Sequence, residues 1–241
     1  MTCKHEVKEC KCSNIPLERK GKGPVDIFFI TEFPGKSEMK EKKFLSGAHS
    51  KFFREILRVL VEKTGFTYAI SSVTRCLSKP GTLIHYSPAV RACLPNLEAE
   101  IAKCEPKMIV FMGDLPYSVF SKNNKLPKHG PRVEDGRLQS MMVFGKKYPV
   151  MYCQHTTWYQ HNESCAVGFL YENIRKAIDF VKHGINPNIP NKFKSVILHS
   201  VKEVRKALDE LAEVKDIIAV DTEGCNLNRV YGNRLLSASL S

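Results

Sequence analysis

Two short, almost continuous apolar runs, Val25–Thr31 (VDIFFIT) and Met108–Met112 (MIVFM), constrain this chain more than any other feature. A strand that is apolar at nearly every position has to be buried on both faces, as in a parallel sheet covered by helices. Tyr68–Val73 and Tyr148–Cys153 read as two more strands of this kind. Between them lie helical patterns. His49–Lys63 places Phe52, Phe53, Ile56, Leu57 and Leu60 on one face and turns Lys51, Arg54 and Arg58 outward. Pro88–Lys103 and Glu163–Gly184 are amphipathic in the same way. Strands alternating with helices predict a three-layer α/β/α fold around a four-stranded parallel sheet. Ligands of such sheets bind at the carboxyl ends of the strands. The segments after Thr31, Val73, Met112 and Cys153 are therefore where chemistry is expected. Residues 121–147 read as largely loop, with Asn123, Asn124, Pro127, Gly130, Pro131 and Gly136 opposing regular structure.

Charge narrows the partner. Residues 1–186 carry 29 Lys and Arg against 18 Asp and Glu, whereas residues 187–241 carry 8 against 7. A basic body with a near-neutral tail predicts a polyanion as partner of the first part. No run approaches the ~20 apolar residues of a membrane span. The polar, cysteine-bearing start, MTCKHEVKECKCSN, does not read as a signal peptide. A cytoplasmic location is expected, that of the host if the gene is viral. The nine cysteines are odd in number and follow no regular framework, which argues against a disulfide scaffold.

The pattern restarts after a linker-like stretch, Asn186–Ser195 (NPNIPNKFKS). Val201–Val214 is amphipathic, and Ile217–Asp221 (IIAVD) is a strand ending in an acid. The expected organisation is a first domain at 1–186, a linker at 187–197 and the start of a second domain at 198–241. About fifty residues are few for an independent domain, so the chain reads as the front of a longer polypeptide.

The strand ends carry the candidate chemistry. The first leads into Thr31-Glu32-Phe33-Pro34-Gly35 and then Lys42-Lys43-Phe44-Leu45-Ser46-Gly47. A Pro-Gly turn brings backbone N–H groups close to a ligand, a carboxylate orients water, and an aromatic ring stacks on a planar base. The second leads into Ser72-Val73-Thr74-Arg75-Cys76, with Cys93 following on the next helix. The last leads into Gln154-His155-Thr156-Thr157-Trp158, where a histidine can donate to a developing oxyanion. No P-loop, G-x-G-x-x-G or G-x-S-x-G is present.

In this order the motifs resemble those of the iron–sulfur (family 4) uracil-DNA glycosylases, over roughly residues 10–182. That family has a GEAPG turn, a G-x-P-F-V-G segment, an N-V-V-K-C-R-P-P-G-N-R segment with a second Cys downstream, and a final H-P-S. The resemblance implies a base-flipping pocket, needed because the glycosidic carbon is shielded in a duplex. It implies Glu32 as the acid that positions the attacking water and His155 as the donor that stabilises the departing base. Phe44 would stack on the base, Gly35 and Ser72 would line its pocket, and Lys36, Thr156 and Thr157 would meet DNA phosphates. Ser72 stands where the family has the Asn that reads uracil. A hydroxyl cannot supply a paired amide donor and acceptor. Thr31 and Thr156 also replace the family's Gly and Pro. These departures favour a DNA-binding module that keeps the fold without the chemistry; an active glycosylase on uracil or another modified base is the alternative.

The resemblance also implies a [4Fe–4S] cluster held by Cys10, Cys12, Cys76 and Cys93, with Cys3 in reserve. Thiolates serve zinc equally well, so a zinc site is the alternative. Cys104, Cys153, Cys165 and Cys225 read as small buried side chains. In the second part, Asp221-Thr222-Glu223 looks like the first motif of the DEDD 3′–5′ exonucleases, whose ribonuclease H-like fold binds Mg²⁺ through such acids. A glycosylase-like domain followed by this motif is similar to the N-terminal region of a phage family A DNA polymerase. The expected partners are thus DNA and the remainder of a polymerase.

Overall fold

The computed structural model describes residues 15–75, 88–121, 135–161, 166–188, 200, 202–203, 205–206, 209, 220–224 and 235–240. The chain divides into two compact units, Met1–Pro190 and Asn191–Ser241.

The first unit is built on the apolar runs. Strands β1 (Glu18–Lys20), β2 (Ile27–Thr31), β3 (Tyr68–Ser72), β4 (Met108–Met112), β5 (Leu138–Val143) and β6 (Lys146–Cys153) form one sheet in the order β1-β3-β2-β4-β6-β5. The pairs β2–β3, β2–β4 and β4–β6 are parallel, whereas β1 and β5 are antiparallel edges. The expected parallel strands are there, but the sheet is mixed and six-stranded. Both added edges are weakly patterned: β1 is the charged tripeptide ERK, and β5 exposes Met142. Asn188 covers part of the β5 edge, its amide bonding both the N–H (2.9 Å) and the carbonyl (2.6 Å) of Leu138.

Helices α1 (Lys36–Glu41), α2 (Lys51–Thr64), α3 (Pro88–Cys104), α4 (Asp114–Phe120), α5 (Thr156–His161) and α6 (Ala166–His183) complete the unit. A 3₁₀ turn at Ala48–Ser50 leads into α2, which stops at Gly65 in the left-handed conformation (φ 63°). Alternation along each strand feeds two cores. Ile27, Phe29, Ile70, Val110 and Met151 pack with Phe53 and Leu57 of α2 and Leu170 and Ile174 of α6. Phe28, Ile30, Ala69, Ile109 and Tyr152 pack with Val90 and Leu97 of α3 and Leu115 of α4. These are the three layers the alternation predicted. From β2 the chain runs out to β3 and returns past β2 to β4, so the topological switch lies beside β2.

The amino ends of the strands are fastened by one buried carboxylate. Asp26 accepts from the Thr67 N–H (2.9 Å), Lys107 Nζ (2.8 Å) and Lys182 Nζ (3.1 Å), joining β2, β3, β4 and α6.

In the second unit, Ser200 and Glu203 cap each other: the Ser200 N–H donates to Glu203 Oε2 (3.0 Å) and the Glu203 N–H to Ser200 Oγ (3.2 Å). Strands β7 (Val220–Gly224) and β8 (Leu235–Leu240) pair antiparallel, with a bulge between Glu223 and Gly224. Most of the helix expected at Val201–Val214 lies outside the described residues.

Burial alone would raise the Asp26 carboxyl, but Lys107, the Thr67 N–H and Lys182 outweigh it and hold it at about 2. An acid depressed on folding contributes stability that is full above its unfolded pKa, about 3.9, and fades as pH falls toward the folded value. Lys107 is largely exposed, so screening trims the contribution to about 1–2 kcal/mol. Urea unfolding of Asp26→Asn across pH should show that loss at neutral pH and a flatter acid limb between about pH 4 and 2. An acid limb identical to wild type contradicts it.

Candidate functional site

The four parallel strands end at one level. Thr31 is in register with Ser72 and with Met112, and Met112 with Cys153, so these four residues form a row across the carboxyl edge. Alternation puts the row on the α2/α6 face, the side that Phe29, Met112 and Cys153 share with Phe44. The segments leaving the row are bonded together. The Val73 N–H donates to the Thr31 carbonyl (2.9 Å) and the Thr74 N–H to the Glu32 carbonyl (3.2 Å), while the Gly113 N–H donates to the Cys153 carbonyl (2.9 Å). The strand-end motifs found in the sequence therefore meet at one edge.

Glu32 is half-buried and leans on the start of α4. Its Oε1 accepts from the Asp114 N–H (2.9 Å) and the Leu115 N–H (3.3 Å). Gly113 (φ 104°) makes room for it, because a Cβ there would lie 2.6 Å from Oε1. These contacts fix the direction of the carboxylate.

Phe44 is fully buried, with the Arg75 guanidinium over its ring at 5.3 Å. Arg75 is itself gripped by Glu100, by Ser71 Oγ (3.1 Å) and by the Ile15 carbonyl (2.7 Å). What places Phe44 is Glu38, a residue the sequence reading passed over. One of its oxygens accepts the Gly35 N–H (2.5 Å) and the other the Leu45 N–H. The buried carboxylate thus staples the TEFPG turn to the KKFLSG segment, whose Lys42 (φ 54°) and Leu45 (φ 51°) turn through left-handed conformations. The readable signal was a Glu three residues after a helix-opening Gly35, the acidic half of a capping box.

Ser72 is buried and donates its hydroxyl to the Thr74 carbonyl (2.6 Å). With its one proton engaged, it offers a ligand only lone pairs.

His155 stands at the start of α5. Its Nδ1 accepts the Thr157 N–H (3.3 Å) and lies 3.0 Å from Thr157 Oγ1. A ring nitrogen that accepts carries no proton, so the neutral ring is protonated at Nε2. Burial lowers the imidazole pKa, opposed by Glu38 and Asp114 and reinforced by His49. The ring is therefore a neutral donor at physiological pH.

Beneath it, Asp135 accepts from Tyr159 Oη (3.1 Å), Asn173 Nδ2 (3.0 Å) and the Gln154 N–H (3.3 Å), fixing the chain just before His155. Burial raises the Asp135 carboxyl against these bonds.

The expected phosphate contacts separate. Lys36 is exposed on α1 and Gly35 caps that helix. Thr157 serves His155. The Thr156 side chain is fully buried and its hydroxyl bonds Ser50 Oγ (2.8 Å), locking α5 to the 3₁₀ turn.

Of the cluster cysteines, Cys93 on α3 is buried and its Sγ accepts the Arg75 N–H (3.4 Å). Cys3, Cys10, Cys12 and Cys76 lie outside the described residues, as do Cys165 and Cys225. Among the described residues, no three His, Cys, Asp or Glu gather as a metal site. Cys104 and Cys153 are buried thiols raised by that burial, in keeping with a packing role. Asp221 and Glu223 lie two residues apart on β7, paired in register with Ser239 and Ser237.

Residues 19–179 match the family model of the uracil DNA glycosylase superfamily. The chain is also similar to the type-4 uracil-DNA glycosylase of Sulfurisphaera tokodaii, with 27% identity over 116 residues. That alignment covers 46% of this chain and 52% of the relative, so the chain spans about half the length of the curated protein it matches.

Glu38→Gln should turn an amide donor toward one of the two N–H groups that the carboxylate now receives. The expected loss is about 1–3 kcal/mol in urea unfolding, with faster hydrogen exchange at the Leu45 or Gly35 amide. Unchanged exchange at both amides contradicts the staple.

Proposed function

This chain belongs to the uracil-DNA glycosylase superfamily, and from that premise we propose that it is a DNA glycosylase hydrolysing the N-glycosidic bond of uracil or another modified base. The observation that carries the reading is His155, a half-buried imidazole whose pKa is lowered by desolvation and whose Nδ1 accepts the Thr157 N–H, which leaves Nε2 to carry the proton. When the bond between C1′ and the base breaks, the base leaves with the electron pair as an anion. An Nε2–H aimed at its carbonyl stabilises that charge without transferring a proton. Glu32, held by the Asp114 and Leu115 N–H groups, orients the water that attacks C1′. The products are an abasic site and the free base. Lys36, Lys40, Lys42 and Lys43, all exposed around α1, attract the phosphates.

Cys93, together with Cys10, Cys12 and Cys76, would hold a [4Fe–4S] cluster, with zinc as the alternative. A buried sulfur that accepts a backbone N–H from the residue beside Cys76 suits a cluster thiolate. When bound, the cluster supplies a cross-link between the N-terminal cysteines and α3, and no bond-making step.

For residues 198–241, Asp221 and Glu223 on a strand paired with β8 support the start of an exonuclease domain that would bind Mg²⁺ when complete. Fusion to a polymerase rests on domain order alone; the family match ends at residue 179 and speaks for the glycosylase.

A labelled single-stranded oligonucleotide carrying one uracil, incubated with anaerobically purified protein and then treated with alkali, tests the reading. Wild type should release the base, and His155→Ala should slow release by at least about 100-fold. The protein should be brown. Uracil and other modified bases retained by wild type and variant alike contradict the activity; colourless protein with stoichiometric zinc contradicts the cluster.

A further inference from the structure

Among the described residues, two buried hydroxyls at the carboxyl edge have no partner. Thr31 and Thr74 are each 1% exposed, and neither Oγ1 makes a hydrogen bond. A buried hydroxyl left unsatisfied is costly, and natural folds rarely keep one without a use. Here there are two, on neighbouring segments. Thr31 closes β2 in register with Ser72, and Thr74 follows β3 with its N–H on the Glu32 carbonyl and its own carbonyl on the Ser72 hydroxyl. Thr31 also lies on the face of the sheet that carries Phe44. The segments that carry the two orphans, the serine and the main chain of Glu32 are thus joined by hydrogen bonds.

We propose that Thr31 and Thr74, with Ser72, form the reader of the flipped base's polar edge, and that this reader accepts uracil and cytosine edges alike. The inference rests on the glycosylase reading and concerns its specificity. An amide side chain presents one fixed acceptor and one fixed donor, and so matches one pattern of base edge and opposes the other. A threonine hydroxyl turns about its C–O bond and serves as donor or acceptor. Ser72, its proton committed to the Thr74 carbonyl, acts only as an acceptor. Uracil offers it N3–H and cytosine the exocyclic amino group, so both bases satisfy it. The two free hydroxyls then adapt to whatever flanks that donor. Strong discrimination comes from sites whose buried groups are left unpaired by the wrong ligand, and rotating hydroxyls do not impose that penalty.

The same geometry sets a stability signature. In the free protein the hydroxyls gain nothing, so their removal in an isosteric side chain should not destabilise the fold.

The test uses fluorescence anisotropy with three single-stranded oligonucleotides, whose central nucleotide is 2′-fluoro-2′-deoxyuridine, 2′-fluoro-2′-deoxycytidine or a tetrahydrofuran abasic analogue. The fluorine slows cleavage, so binding is read. Wild type should bind both base-bearing strands more tightly than the abasic one, with affinities within about tenfold of each other. Thr31→Val and Thr74→Val should each cut the preference over the abasic strand by about fivefold, while the thermal midpoint stays level or rises. Thr31→Ser, which keeps a hydroxyl, should restore the preference. Valine variants that bind like wild type overturn the inference, as does a uracil-over-cytosine preference above about 100-fold. Wild type that binds all three strands alike fails differently, because it removes the glycosylase reading itself.

Discussion

In a parallel sheet the carboxyl ends of neighbouring strands share an edge, and here the register places Ser72, Thr31, Met112 and Cys153 in one row along it. Everything else about the site depends on that alignment. Three short helices, α1, α4 and α5, begin just beyond the row, at Lys36, Asp114 and Thr156. Each strand end and the helix after it thus form a turn whose backbone N–H groups gather at the same place. The switch in strand order beside β2 opens the edge where Thr31 and Glu32 leave the sheet. The two apolar cores hold the strands at this level, so the position of the chemistry is set by burial far from it.

Carboxylates at the edge are satisfied mainly by the backbone. Glu38 takes the N–H groups of Gly35 and Leu45, Glu32 those of Asp114 and Leu115, and Asp135 that of Gln154 along with two side chains. Backbone donors are rigid and cost no side-chain entropy to order. They also leave the lysines of the α1 region in solvent, where their charge is available to a polyanion. The arrangement separates two kinds of group: negative ones are engaged in shaping the edge and positive ones stay in solvent. His155 stands between them as a neutral donor, its tautomer chosen by one backbone N–H.

Long apolar patterns were legible and short elements were not. Met108–Met112 reads as a strand and is one, because all five residues are buried on both faces. Lys36–Glu41 and Thr156–His161 have six residues each, too few for a helical period to show. β1 and β5 are antiparallel edges with little apolar alternation, so the sheet is wider than the sequence suggested. At the site, Glu32, Ser72 and His155 stand out as candidates because residue type and strand-end position together suggest chemistry. Glu38 was missed because its role is a contact made seven residues away, with Leu45. The bond of Thr156 was illegible for a similar reason: its partner, Ser50, lies 106 residues away in sequence. The orphan hydroxyls of Thr31 and Thr74 could not be read at all, since a missing partner is a property of the packed structure.

The claim at the centre of this account is that His155 meets the substrate as a neutral ring protonated at Nε2. Long-range proton–nitrogen NMR on protein labelled at histidine nitrogen, with His155→Ala used for assignment, reads both the charge and the tautomer. At pH 7 the account predicts an unprotonated Nδ1 and a protonated Nε2, with titration below the ordinary value of 6.5. An imidazolium at that pH, or a proton on Nδ1, contradicts it.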